Sequence, residues 1–163
     1  MKRLTWLVGP PGAGKSTWAN AARAHQRVVE FNEMLAPLVL PARIRKGVLT
    51  ANAALVSLVR NLEFHPDNRA LPPLLVVAGL VPEDALFPLT DDEHVLLLLP
   101  ERSRWEEQLH KRPIGSGSLR QYDDFPYAAE WYDRFSTWES RGFPITKIEV
   151  PFDPALLGRI AQP

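Results

Sequence analysis

The chain has 163 residues, enough for one domain with one core. Its 19 basic and 19 acidic residues cancel, which speaks against a bulk nucleic-acid binder and leaves room only for a local basic groove. With no cysteine, disulfides, thiolate catalysis and cysteine zinc sites are excluded, and the four scattered histidines make no metal-ligand spacing.

The opening MKRLTWLV turns into GPPGAGK too early for an export signal, and HVLLLLP is too short to span a membrane. A soluble cytoplasmic protein without a membrane partner is therefore expected. Residues 3–8 read as a short apolar strand and 15–25 as an alanine-rich helix. RVVEF at 27–31 is β-branched and brief, a second strand. Segment 32–46 has helical stretches broken by Pro37 and Pro41. Residues 50–64 form an amphipathic helix, with Ala54, Leu55, Leu58 and Leu62 near one face.

LLVVAGL at 74–80 and HVLLLLP at 94–100 are continuously apolar, as strands buried on both faces are. A turn of helix lies between them in EDALFPL, and 101–112 is a charged helix. PIGSGSLRQ at 113–121 is a Gly/Ser-rich loop. The stretch from Asp123 to Gly142 reads as a helix with acidic residues at its start and glycine at its end, ITKIEV as a last strand and DPALLGRIA as a terminal helix. Strands alternating with helices predict a parallel sheet in a three-layer α/β/α sandwich, a single domain over 1–163 that binds ligands at the carboxyl ends of its strands.

GPPGAGKST, between the first strand and first helix, matches the phosphate-binding loop pattern Gly-x4-Gly-Lys-Ser. Gly9, Gly12, Ala13 and Gly14 let backbone N–H groups converge on phosphate oxygens, and the helix adds its positive end. Lys15 supplies a point charge for the β- and γ-phosphates, Ser16 a hydroxyl ligand for Mg²⁺, and Thr17 continues the cradle. ATP and Mg²⁺ are the expected nucleotide and metal.

The end of the second strand faces this loop. Glu33 is the first candidate to orient or deprotonate an acceptor hydroxyl, and Glu30 the second; Glu33 alternatively caps the following helix. Asn32, Glu33, Arg43 and Arg45 are candidate acceptor contacts, although LPARIRKG equally suits a solvated basic turn. Residues 101–122 suit a lid carrying arginines. There Arg102 can pair with Glu106 and Glu107 with Lys111, so Arg104 and Arg112 are the better catalytic candidates. Trp6, Trp131 and Trp138 suit the core, whereas Trp18 and Trp105 have no decided place.

GPPGAGKSTWA, the order LLVVAGL then HVLLLLPERSRWEEQLHKRP, and YAAEWYDRFSTWE together resemble the small P-loop kinases: polynucleotide 5′-hydroxyl kinases, gluconate kinases and shikimate kinases. The resemblance covers most of the chain. It implies a nucleoside-kinase-like P-loop fold and transfer of the ATP γ-phosphate to a hydroxyl. The acceptor it implies first is a 5′-hydroxyl of nucleic acid or nucleotide, with a sugar acid or other small metabolite next. KRPI resembles the shikimate kinase lid, which implies that Arg112 lies near adenine. The group usually has an aspartate after the second strand, where this chain has EFNEML, and polynucleotide kinases carry Asp-Thr-Asn after the third, where it has VAGLVPED. Glu83 and Asp84 lie a little beyond that strand as weak substitutes. The alternative reading is a nucleotide-binding regulatory or interaction module without transfer chemistry.

Overall fold

The computed structural model describes residues 2–35, 45–111 and 125–149, with only the backbone at 45 and 46. Its elements run β1 (Leu4–Val8), α1 (Lys15–Ala22), β2 (Arg27–Glu30), α2 (Phe31–Leu35), α3 (Arg45–Glu63), β3 (Leu74–Gly79), α4 (Glu83–Leu86), β4 (Glu93–Leu98), α5 (Arg102–Lys111), α6 (Phe125–Ser136) and β5 (Thr146–Ile148). A 3₁₀ turn at Pro66–Asn68 links α3 to β3. The expected lid loop at 113–121, Arg43, Arg112 and the terminal helix lie outside the described residues.

The five strands pair in parallel in the order β2-β3-β1-β4-β5. β1 is central: Leu4 registers with Leu74 of β3 on one side and with Glu93 of β4 on the other. Consecutive residues of β1, β3 and β4 are buried, so helices cover both faces and the sheet is the middle layer of the predicted α/β/α sandwich. Because the chain leaves β1 between β3 and β4, the segment after β1 emerges at the crevice where strand order reverses, the usual ligand position in such sheets.

All five tryptophans are buried, including Trp18 and Trp105. Trp6 stands edge-on to Phe31, and its N–H donates to Glu93 Oε1 at 2.9 Å. Arg60 reaches the same oxygen at 2.7 Å, and the Thr90 N–H reaches the other at 2.8 Å. Burial pushes the Glu93 carboxyl upward, but these donors outweigh it and hold the group below its usual range.

The buried face of α3 differs from the leucine face predicted. Val48, Asn52, Val56, Val59 and Glu63 point inward, while Leu58 and Leu62 are 45% and 56% exposed. Tertiary partners decide this: Glu63 pairs with Arg3 at 2.8 Å and Arg27 at 2.5 Å, and Asn52 donates to Leu80 O at 2.7 Å. Helix α6 also ends earlier than Gly142. Ser136 and Thr137 hydroxyls donate back to Asp133 O and Arg134 O, and turns carry the chain to Gly142. No helix among the described residues is long and apolar enough to cross a membrane.

Candidate nucleotide-binding site

Residues 9–14 form the loop between β1 and α1. A Cβ on Gly9 would lie 2.4 Å from Leu98 O, so only glycine lets the loop leave β1 so close to the end of β4. Gly14, at φ 97°, is the N-cap of α1, and its carbonyl accepts the Trp18 N–H at 3.0 Å. This places Gly14, Ser16 and Thr17 at the surface and Lys15 half-buried, while Ala13 is buried beneath the loop. Helix α5 braces the crest: the Trp105 indole N–H donates to Pro11 O at 2.7 Å, and Leu109 lies against Gly12. That brace has no sequence motif and was not foreseen.

The Lys15 ammonium donates to Gly9 O at 2.8 Å and Pro10 O at 2.7 Å. Its Cε lies 3.8 Å from where a Gly79 Cβ would stand, so the lysine crosses the end of β3. The Ser16 hydroxyl donates to Glu30 Oε2 at 3.0 Å. Glu30 is the last residue of β2, and its side chain is only 7% exposed. A buried carboxylate therefore lies directly on the hydroxyl of the phosphate loop.

Glu33, the first candidate in the sequence, lies one turn further out on α2. Its carboxylate is 63% exposed and accepts two bonds from Arg23 Nη2, at 3.0 and 3.1 Å. The same nitrogen is 3.4 Å from Glu30 Oε1. Asn32 is exposed on α2. Arg104 is exposed on α5, while the expected pairs form, Arg102 with Glu106 at 2.8 Å and Lys111 with Glu107 at 3.5 Å. Arg102 also bonds Asp133 at 2.6 Å and lies over Trp105 and Tyr132, which ties α5 to α6. The Arg45 side chain, Arg43 and Arg112 fall outside the described set.

The donor set fits Mg²⁺. A hydroxyl and a buried carboxylate are hard oxygen donors, and this ion binds through one or two such groups, substrate phosphates and waters. Among the described residues no three His, Asp or Glu side chains gather into a protein cage.

Comparison with protein-family models gives no match, and comparison with curated proteins gives none either. Solved structures do match. A shikimate kinase from Acinetobacter baumannii in complex with shikimate aligns at TM-score 0.59 and 14% identity, over 99% of this chain and 92% of that one. A sugar kinase from a Janibacter species aligns at TM-score 0.58 and 14% identity with the same coverage. A deoxyadenosine kinase from M. mycoides with bound dATP aligns at TM-score 0.55 and 14% identity, over 99% of this chain and all of that one. The chain has the fold of the small P-loop kinases.

Within this fold, the carboxyl end of β3 here is Val77-Ala78-Gly79 and carries no acid. Glu83, weighed as a substitute, is engaged elsewhere. It accepts from Arg134 at 2.9 and 2.5 Å, Trp138 Nε1 at 3.1 Å and Arg141 at 3.2 Å, clamping α4 to α6. The Arg134 hydrogen bonds, opposed by burial and helped by Trp138, lower its pKa from 4.5 to about 2. A depressed native pKa stabilises the fold above the unfolded value and loses that contribution as pH falls through the native one. The clamp is therefore at full strength at neutral pH and lost between about pH 5 and pH 2. Glu83→Gln is expected to cost about 1–2 kcal/mol at neutral pH, allowing for solvent screening, and almost nothing near the acid end. Urea unfolding of both proteins across that range checks it; a pH-independent difference would refute it.

Proposed function

We propose that the protein is an ATP-dependent phosphotransferase that moves the γ-phosphoryl group to a hydroxyl acceptor. One observation carries the reading: Ser16 Oγ donates to the buried Glu30 carboxylate at 3.0 Å, beside Lys15 at the end of β3. A loop that merely bound phosphate would need no buried acid there, since burying a carboxylate is costly unless it is partnered.

Bound Mg²⁺ would screen the phosphate charge and align the transferring group. Ser16 and Glu30 would hold the ion, Glu30 through its waters. Lys15 leaves Gly9 O and Pro10 O for the phosphate oxygens, a stronger charge-assisted partner. The loop N–H groups and the positive end of α1 receive the β-phosphate. Glu30 is the candidate to accept the acceptor hydroxyl proton, since its carboxylate already borders the phosphate loop. Asn32 is the candidate contact on the acceptor side, and Arg104 and Arg112 are the candidates to neutralise charge on the moving group.

The acceptor class is a 5′-hydroxyl of a nucleotide or nucleic acid, or a small hydroxyl metabolite. The named ligands and classes of the similar structures, shikimate, sugar and deoxyadenosine, favour the small compound. The second reading, a nucleotide-binding module, rests on the acid-free end of β3.

The test uses γ-labelled ATP with Mg²⁺ and a panel of 5′-hydroxyl oligonucleotides, nucleosides, nucleoside monophosphates, sugar acids and shikimate. Label in one acceptor is the expected result. ATP binding with neither transfer nor hydrolysis would favour the second reading.

A further inference from the structure

Ser16 bonds Glu30, whereas Glu33 takes the two shortest side-chain bonds of the guanidinium that also reaches Glu30. Arg23 follows the last residue of α1, and its backbone N–H donates to Ala19 O at 3.0 Å. Its Nη1 donates to Val28 O at 3.4 Å, which pins the guanidinium beside β2. Nη2 then has two rivals: the exposed Glu33 at 3.0 and 3.1 Å and the buried Glu30 at 3.4 Å. Of the two carboxylates, the buried one makes the longer contact. Its other oxygen accepts from Ser16.

We propose that Glu33 is a positioning residue that works through Arg23, as the counter-ion that keeps this guanidinium from closing on Glu30. The proposal rests on the reading of Glu30 as the acid on the magnesium side. A guanidinium fully paired with Glu30 would cancel the charge a cation needs and would draw the carboxylate away from Ser16. Held by Glu33, Arg23 steadies Oε1 while Oε2 stays on Ser16. Removing Glu33 hands the arginine to Glu30, and removing the arginine as well frees Glu30 again. Both side chains are substantially exposed, so neither substitution threatens the fold.

The experiment measures affinity for a fluorescent ATP analogue with and without Mg²⁺, together with ATP turnover, in four proteins: wild type, Glu33→Gln, Arg23→Gln and the double variant. Glu33→Gln should reduce the Mg²⁺-dependent tightening of ATP by about 10-fold, and adding Arg23→Gln should restore it to within about 3-fold of wild type. Affinity without Mg²⁺ should stay the same in all four. Three results overturn the proposal: turnover lost by orders of magnitude in both Glu33→Gln proteins with the Mg²⁺ effect intact, which makes Glu33 the base; a double variant worse than either single one; or a wild type that binds ATP with no Mg²⁺ effect. A wild type that binds no ATP at all would also sink the kinase reading.

Discussion

Glu30→Gln is expected to lower turnover by about 10²- to 10³-fold while Mg²⁺-free ATP affinity stays near wild type. The substitution keeps the shape and one acceptor oxygen, so Ser16 retains a partner. It removes the charge that would hold the cation through its waters and the basicity that would take the hydroxyl proton. Glu30 is the one carboxylate among the described residues that contacts the hydroxyl of the phosphate loop, and burial strengthens what it does there. Steady-state turnover, with ATP binding measured in chelator and in Mg²⁺, checks the expectation. Loss of less than 10-fold would return the catalytic role to another acid.

Lys15→Met is expected to abolish turnover to beyond about 10³-fold and to weaken ATP binding about 10-fold. Methionine follows much of the same path past Gly79 but carries no charge, so the growing negative charge between the β- and γ-phosphates loses its only point cation from the loop. The fold should survive. The ammonium gives up bonds to the carbonyls of two buried loop residues, each worth about 1 kcal/mol net, so a fall in melting temperature of about 4–8 °C is expected. A much larger fall in melting temperature would show instead that Lys15 organises the loop.

Much of the site was legible because its chemistry is local. Nine consecutive residues carry the glycines, the lysine and the hydroxyl, and they lie between a strand and a helix, as their order demanded. The choice between Glu30 and Glu33 was not local. Both follow or end β2 within four residues, and Glu33 has the more open position that active-site acids often occupy. Only the parallel pairing of β2 with β3, and of β3 with β1, brings the end of β2 beside α1 so that Glu30 meets Ser16. The Arg23 contact could not be read either, since it depends on the end of α1 lying against the next strand.

By itself, the chain determined the strands, the phosphate loop and the layered parallel sheet, because continuous apolar runs and a nine-residue motif are properties of neighbours in sequence. It did not determine which face of α3 turns inward. Counting leucines chose Leu55, Leu58 and Leu62, yet the fold buries Asn52 and Glu63 and leaves two of those leucines to solvent. The reason is that a buried polar group is tolerated wherever distant partners satisfy it. Arg3, Arg27 and the Leu80 carbonyl supply those partners, and they reach α3 only once the sheet has assembled. The same holds for Glu83. In sequence it lies a little beyond the place of a metal-side acid, as a weak substitute, and in the fold Arg134, Trp138 and Arg141 turn it into a clamp between α4 and α6.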